Sequence, residues 1–255
     1  MTRLFIAIVL VQFCVATFIP SSAADKAVAS PVATFPLDSM DGLEIQSITL
    51  NGAKPVKTIA EVASYAGRRV VRMVNDDGLT ASGKPAGAEA VAILQGTDFK
   101  NGTIEAEIVG LPRKGAPPDV RGFVGIAFHV QDHGVKYECF YLRQTNGRAD
   151  EQLRRNHSTQ YMAHPEFPWQ RLRKENPGVY ESYVDIEPGA WTKIKIVVSG
   201  ARALLYVNGA DQPCLIVNDL KLGETHGPIA LWTGSDSEGY FSNLSVKSDA
   251  SETSK

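Results

Sequence analysis

The stretch Gly122-Phe-Val-Gly-Ile-Ala-Phe-His-Val130 decides the fold, because its side chains alternate as those of a β-strand do. Successive side chains of a strand point to opposite faces, so Val124, Ile126, Phe128 and Val130 share one apolar face. The opposite face carries aromatic and small side chains with one histidine. Alternation over this length predicts a strand with its regular apolar face in a core.

Short strands of the same kind follow one another along the chain. In residues 102–109, isoleucine and alanine alternate with two glutamates. Ser199-Gly200 and Asn208-Gly209 supply the positive φ angles that tight hairpin turns need. The predicted strands cover residues 102–109, 122–130, 137–143, 191–198, 203–207, 214–217, 228–232 and 240–246. No convincing helical period interrupts them, so the sequence predicts one all-β domain, a two-sheet antiparallel sandwich or jelly roll.

Composition and the N-terminal stretch indicate an exported globular protein. The 255 residues include 26 basic and 28 acidic side chains, a net charge of −2 that gives no support for nucleic-acid binding. After Arg3, an apolar run from Leu4 to Ile19 is shorter than a membrane-spanning helix and leads to small residues ending at Ala24. We therefore expect a cleaved signal, with an uncleaved anchor as the alternative, a secreted or periplasmic location and no membrane span after cleavage. The expected organisation is signal peptide 1–24, linker 25–40, jelly-roll domain 41–248 and polar tail 249–255.

Cysteine and histidine usage predicts neither a cofactor nor a catalytic metal. Cys139 and Cys214 remain after signal cleavage, and their spacing leaves open whether they form a disulfide. The histidines lack the spacing of a zinc site. Asn75-Asp-Asp-Gly78 resembles a calcium turn but lacks a closing glutamate, so a structural calcium ion also stays open.

The longest interruption between predicted strands, residues 144–180, is where we expect function, because long connections often carry binding sites. From Arg143 to Lys174 the chain holds seven basic and three acidic residues. Guanidinium, amide and aromatic groups bind sugars, and arginine also suits carboxylates and sulfates. The candidate binding residues are Tyr141, Arg143, Arg154, Arg155, Asn156, Gln160, Tyr161 and Trp169. The open alternative is that Trp169 packs the segment onto the domain and the arginines form a solvated surface.

Several segments together resemble a known superfamily. They are Phe99-Lys-Asn-Gly-Thr-Ile-Glu105, Gly122 to Phe128, Tyr137-Glu138, Trp191 to Val198, Tyr206-Val-Asn-Gly209, Gly227 to Trp232 and Phe241-Ser-Asn-Leu244. Over residues 40–247 the chain is similar to the concanavalin A-like lectin/glucanase superfamily. Within it, the chain looks closest to laminin-G-like domains and to 3-keto-disaccharide hydrolase (DUF1080-type) bacterial domains. The resemblance implies a curved sheet whose concave face and flanking loops handle carbohydrate.

Three functions stay open. The first is a carbohydrate-binding protein that recognises a glycan, an acidic or oxidised sugar among the candidates, on its concave face and the 144–180 segment. The second is a glycoside hydrolase or lyase acting on 3-keto glycosides. The third is a laminin-G-like protein-interaction module, which an exposed apolar patch would favour.

The enzymatic alternative needs a base. A ketone at C3 acidifies the C2 proton, so Glu138 or His157 could start elimination of the glycosidic oxygen while arginines steady the enolate. By alternation Glu138 shares a strand face with Phe140 and Leu142. Partial burial with a structural salt bridge to an arginine is therefore the alternative for Glu138.

Overall fold

The structure of the protein is a computed structural model that describes residues 32–49, 57–76 and 88–249. Two antiparallel sheets make up the described part of the chain. The strands are β1 Val32–Phe35, β2 Leu43–Thr49, β3 Lys57–Tyr65, β4 Arg68–Asp76, β5 Ala88–Leu94, β6 Gly102–Pro112, β7 Phe123–Gln131, β8 Lys136–Arg143, β9 Thr159–His164, β10 Glu181–Ser182, β11 Thr192–Ser199, β12 Arg202–Val207, β13 Leu215–Val217, β14 Ala230–Thr233 and β15 Ser237–Ser248. Two short helices, α1 Gln152–Arg155 and α2 Trp169–Glu175, lie between β8 and β10. Single 3-10 turns cover Asp132–Gly134 and Gln144–Asn146.

The first sheet has the order β13-β12-β11-β6-β15-β4-β3, with β1 also paired to β15. The second sheet has the order β10-β9-β8-β7-β14-β5-β2. Strands that are distant in sequence lie side by side, as β6 and β15 do. This arrangement confirms the predicted two-sheet antiparallel jelly roll.

The core lies between the sheets and is built from the alternating faces. Ile104 and Ile108 of β6 are buried with Val124 and Ile126 of β7. On the outer face of β6, Glu105 lies 3.4 Å from the Lys193 ammonium group. Glu105 therefore forms a partly exposed ion pair with the neighbouring strand β11.

The outer face of the second sheet is also largely buried, which positions the candidate site. Gln160, Tyr141, Gly125 and Trp232 follow one another across β9, β8, β7 and β14 in register. Tyr141 and Trp232 are each 2% exposed, and their ring centroids lie 4.8 Å apart. Aromatic side chains thus cover this face and leave the cleft at one end of the sheet.

Two predicted boundaries differ from the structure. The segment expected to be a linker contains β1, which pairs with the last strand from Val32↔Lys247 to Phe35↔Leu244. Residues 144–180, expected to be one long loop, contain β9, which extends the second sheet beside β8. Both faces of β9 are buried, and its sequence Thr-Gln-Tyr-Met-Ala-His mixes polar and apolar side chains without the alternation seen in the predicted strands.

The predictions about the cysteines, the terminal segments and a membrane span can be compared with the structure only in part. Cys139 and Cys214 are both free thiols, Cys139 buried and Cys214 half-buried. The signal segment, the end of the Asn75–Gly78 turn and the tail beyond residue 249 lie outside the described residues. In the part that is described, no helix has the length and apolar character needed to cross a membrane.

Candidate functional site

A cleft of about 320 Å³ opens at one end of the second sheet. Phe123 starts β7 opposite Arg143, the last residue of β8, and Ser235 follows the end of β14. The segment after β8 returns over this end of the sheet and closes the cleft with α1 and α2. The lining residues are Asp119, Val120, Arg121, Phe123, Arg143, Asn146, Arg154, His157, Trp169, Arg173 and Ser235.

Arg143 carries a buried charge at the base of the cleft and is 4% exposed. Its guanidinium donates hydrogen bonds to the His157 carbonyl (3.1 Å), the Tyr141 hydroxyl (3.0 Å) and the Gln160 amide oxygen (3.1 Å). All three acceptors are neutral. Burial lowers the pKa of Arg143, and the nearby Arg173 lowers it further. Arginine nevertheless stays protonated in proteins, so this charge is fixed in place but not neutralised.

Trp169 lies beside this charge at the start of α2. The guanidinium carbon of Arg143 is 5.4 Å from the centroid of the indole ring, and that of Arg173 is 4.6 Å away. Both distances suit a cation–π interaction. The ring is half-buried and lines the cleft, so it can contact a ligand while the arginines hold it in place.

His157, Arg173 and Glu181 form a charged group at the side of the cleft. Arg173 Nε donates to both carboxylate oxygens of the buried Glu181 at 3.0 Å, and a terminal nitrogen donates at 2.6 Å. The His157 Nδ1 atom lies 2.8 Å from Glu181 Oε2. Burial lowers the pKa of His157, and Glu181 partly opposes that effect. His157 is therefore a mainly neutral imidazole at pH 7.

Two further arginines, Arg121 and Arg154, line the cleft. Arg121 donates to the Pro118 carbonyl (2.6 Å) and the Val120 carbonyl (3.3 Å). The Nε atom of Arg154 is buried and has no hydrogen-bond partner among the described residues. Burial lowers the pKa of Arg121, and the neighbouring charge of Arg154 adds to this. The positive charges of the cleft are close enough to repel one another.

A second, more open chamber of about 590 Å³ adjoins the cleft and shares His157 and Arg173 with it. Arg155 donates a 2.9 Å hydrogen bond to the Tyr183 hydroxyl and lies over that ring. Tyr183 is 39% exposed and presents an aromatic surface to solvent. The chamber is lined by Leu153, Asn156, His157, Arg173, Pro177, Gly178, Glu181, Ser182 and Tyr183.

The structure brings most of the predicted site residues together. Arg143, Arg154, His157 and Trp169 line the cleft, and Asn156 lines the second chamber. Tyr141 and Gln160 are buried beneath the cleft as hydrogen-bond acceptors for Arg143. Arg155 contacts Tyr183 at the second chamber.

Glu138 and Tyr161 lie elsewhere, which corrects the roles predicted for them. Tyr161 is paired with Phe140 and therefore points into the core between the sheets, as Glu138 does. The Tyr161 hydroxyl and the Leu222 backbone N–H (2.7 Å) both donate to the Glu138 carboxylate. Burial raises the pKa of Glu138 to about 7. The predicted arginine partner is thus replaced by a tyrosine and a backbone amide.

Four residues of the site are not predicted from the sequence: Arg121, Phe123, Arg173 and Glu181. Arg121 and Phe123 lie before and at the start of β7, outside the long segment, and only the pairing of β7 with β8 brings them to Arg143. Arg173 was one of several unassigned basic residues. Its local signal was its position four residues after Trp169 in α2, which places both side chains on one helix face.

Within the described ranges, no group of three or more histidine, cysteine or acidic side chains is arranged to hold a metal ion. The side chains that line the cleft supply cationic hydrogen-bond donors, one neutral imidazole and aromatic rings. Such a site can bind oxygen-rich or negatively charged ligands and can hold a proton acceptor beside them.

Among the solved structures that are similar to this chain, one exceeds a TM-score of 0.5 and shares the fold. A protein of unknown function with a galectin-like fold from Bacillus subtilis is 10% identical, with a TM-score of 0.53, 84% of this chain and 94% of that chain being covered. The carbohydrate binding module CBM66 from Bacillus subtilis is 12% identical, with a TM-score of 0.48 and coverages of 78% and 99%. A Bacillus licheniformis beta-glucanase is 10% identical, with a TM-score of 0.44 and coverages of 86% and 98%.

A comparison with curated proteins gives no match. A family model described as a 3-keto-alpha-glucoside-1,2-lyase-like domain matches residues 45–247. The matched region runs from within β2 almost to the end of β15 and includes every lining residue of the cleft. Since this match spans well over half of the 255 residues, the chain belongs to the 3-keto-alpha-glucoside-1,2-lyase-like domain family.

Proposed function

We propose that this protein binds a carbohydrate in the cleft at the end of the second sheet. The main support for this proposal is the position of Trp169. Its half-buried ring lines a cleft of about 320 Å³ beside the guanidinium groups of Arg143 and Arg173. An aromatic ring next to fixed hydrogen-bond donors is suited to the apolar face and the hydroxyl groups of a sugar.

Membership of a family named for a glucoside lyase supports a sugar as the ligand. The predicted signal segment supports the further proposal that the protein is secreted or periplasmic and meets its ligand outside the cytoplasm. Expression with the native N-terminus, followed by mass spectrometry of the exported chain, tests this. A mature chain that begins at Asp25 is expected, and an uncleaved chain retained in the cytoplasm would contradict it.

A thermal-shift screen tests carbohydrate binding. Neutral, acidic and 3-keto sugars are each added at high concentration, and the unfolding midpoint is measured. A ligand at a hundred times its Kd contributes about 2.7 kcal/mol. At about 2–4 °C per kcal/mol for a domain of this size, the midpoint should rise by about 5–10 °C.

Matched variants locate the binding. Trp169→Ala should remove the ligand-induced shift while the protein still unfolds cooperatively. Trp191→Ala is the control, because Trp191 is also half-buried, and Arg68 lies 5.0 Å over its ring on the first sheet. If both variants keep the shift, or if no sugar class produces one, the proposed binding site is wrong.

Elimination of a 3-keto glycoside is a second candidate function, and the placement of His157 favours it. A neutral imidazole lines the cleft beside Glu181, with arginines close by. In such a reaction the imidazole would take the C2 proton, the C1–O bond would break, and the aglycone oxygen would leave as an alcohol after protonation. Cationic arginines would stabilise the negative charge that develops on the C3 oxygen.

The enone product absorbs ultraviolet light, so turnover of a 3-keto glucoside can be followed directly. His157→Gln should lower turnover at least about a hundredfold if His157 is the base. His164→Gln is the matched control, because His164 does not line the cleft and stacks on Tyr137 at 5.1 Å. Unchanged turnover in His157→Gln would remove this candidate mechanism.

A further inference from the structure

The charges that line the cleft are out of balance. Four arginines line it, Arg121, Arg143, Arg154 and Arg173, against Asp119 as the one acidic residue among its described lining residues. Arg173 is neutralised by its bidentate contact with Glu181. The other three arginines form no ion pair with any described carboxylate. The charges of Asp119 and Glu151 raise the pKa of Arg121, but burial and the charge of Arg154 outweigh them.

Two of the three unpaired guanidinium groups are held inside the protein, that of Arg143 as a whole and that of Arg154 at its Nε atom. Arg143 is 4% exposed and is held by three neutral acceptors, which leaves two of its five N–H groups without an acceptor among the described residues. Arg154 Nε is buried with no described partner. A buried donor of this kind normally has an acceptor, so an acceptor from outside the chain would complete the arrangement.

A neutral sugar would not complete it. Hydroxyl groups can accept hydrogen bonds from the free N–H groups, but they bring no negative charge to offset the three guanidinium groups. A carboxylate or sulfate supplies both the charge and two or three oxygens in the geometry that guanidinium groups bind best. We infer that Arg121, Arg143 and Arg154 form an anion subsite that takes a carboxylate or sulfate group carried by the bound glycan.

The subsite rests on the proposed carbohydrate-binding function and adds the chemical class of the sugar. The adjoining chamber, with the exposed ring of Tyr183, then receives the next sugar of the same glycan. His157 and Arg173 lie between the two spaces and line both.

Calorimetric titration at constant ionic strength tests the subsite. The ligands are glucuronate and glucose 6-sulfate, with glucose as the neutral sugar of the same ring configuration. The variant is Arg121→Gln/Arg154→Gln, which leaves the buried Arg143 in place. The control is Arg171→Gln/Arg202→Gln, which removes the same charge from exposed positions outside the cleft.

At least one of the two anionic sugars should bind the unaltered protein at least about tenfold more tightly than glucose, and which one binds distinguishes carboxylate from sulfate. The cleft variant should lose that preference, and the control should stay within about twofold of the unaltered protein. Circular dichroism confirms that each variant is folded. Anionic sugars that bind no better than glucose, or a cleft variant that behaves like the control, would overturn the subsite.

The two proposals fail in different ways. If neutral glycans bind with the predicted dependence on Trp169 while anionic sugars do not bind more tightly, the anion subsite is wrong and carbohydrate binding stands. If no sugar of any class binds, both proposals fail.

Discussion

Glu138 and Arg143 belong to the same strand but lie on its opposite faces, and their surroundings differ accordingly. Glu138 points into the core, where the Tyr161 hydroxyl and the Leu222 N–H satisfy it. Arg143 points outward to the cleft and has only neutral acceptors. The two residues lie five positions apart on β8, and an odd spacing places side chains on opposite faces of a strand. One is therefore a structural carboxyl group and the other a candidate ligand-binding charge.

The Glu138→Gln variant tests the structural role of Glu138. In the folded protein the pKa of Glu138 is about 7, well above the usual 4.5. A raised carboxyl pKa gives stability that is present below pH 4.5 and is lost as pH rises towards 7. The variant has no such loss, so between pH 4.5 and 7 its free energy of unfolding should rise relative to the unaltered protein by up to about 3 kcal/mol.

Urea denaturation at several pH values measures this difference. Sugar binding and turnover should be the same in Glu138→Gln as in the unaltered protein, because the side chain lies outside the cleft. Loss of turnover with intact folding would place Glu138 back among the candidate bases.

The Glu181→Gln variant tests the charged group at the side of the cleft. It removes the carboxylate that neutralises Arg173 and that favours the protonated form of His157. The pKa of His157 should therefore fall further below 6.5, because only burial and nearby arginines remain. NMR titration of the imidazole measures this. Glu175→Gln, which removes an exposed partner of Arg171, is the control, and an equal change there would contradict the assignment.

At the scale of elements, β7 can approach its neighbours closely because Gly125 has no side chain. A methyl group at Gly125 would lie 2.2 Å from the Phe140 carbonyl oxygen and 2.6 Å from Tyr141 Cβ. This spacing lets the rings of Tyr141 and Trp232 close over the outer face of the second sheet. The same packing supports Arg143, since Tyr141 accepts one of its hydrogen bonds.

Gly125→Ala should therefore destabilise the protein by about 1–3 kcal/mol, because neighbouring backbone must move to admit the methyl group. Chemical denaturation measures the free energy of unfolding. Gly67→Ala is the comparison: its methyl group meets no atom within 4 Å, so only its positive φ of 75° resists the change. A smaller loss in Gly125→Ala than in Gly67→Ala would show that the close approach is not as described.

The sequence pattern was clearest in strands with one solvated face, although β7 was also predicted, from its regularly spaced apolar residues, while both of its faces are buried. Alternation identified β6, with its outward glutamates, and β11 with its outward lysines. Alternation could not identify β9, because Thr159–His164 mixes polar and apolar side chains although nearly all of them are buried. The four residues of β1 were missed because nothing local indicates that they pair with residues more than two hundred positions later.

The candidate site was predictable only where it is local in sequence. The concentration of arginine and aromatic residues after β8 pointed to Arg143, Arg154 and Trp169, which do meet at the cleft. Arg121 comes to the cleft through the pairing of β7 with β8, a contact that the residues around it do not encode. Tyr161 was assigned to the site because its neighbours were, although the pairing with Phe140 turns it into the core.

At the scale of the whole molecule, stability comes from the two packed sheets without a covalent crosslink. Cys139 and Cys214 are free, and burial raises the pKa of Cys214 to about 12 and that of Cys139 well above its usual value. Thiolates are the reactive form, so both thiols should be slow to oxidise.

Reducing agent should therefore leave the unfolding midpoint unchanged within about 1 °C, at the few degrees per kcal/mol that apply to this size. A thiol-reactive dye should label two cysteines in the unfolded mature chain and far less in the folded one. A marked fall of the midpoint on reduction, or no labelling after unfolding without reductant, would show that the two cysteines are bonded.

The positive charge of the cleft is confined to one end of the domain. The chain as a whole has a net charge of −2, so the unpaired arginines are a local feature and not part of a general basic surface. Salt should accordingly weaken binding of an anionic glycan while leaving the fold intact.

A crystal structure of the protein with the sugar that gives the largest thermal shift would show directly whether the cleft is the carbohydrate site. The sugar should lie in the cleft at the end of β7 and β8, in contact with Trp169 and with at least one of Arg121, Arg143 and Arg154. A sugar bound on the first sheet, or on any surface away from Trp169, would contradict it.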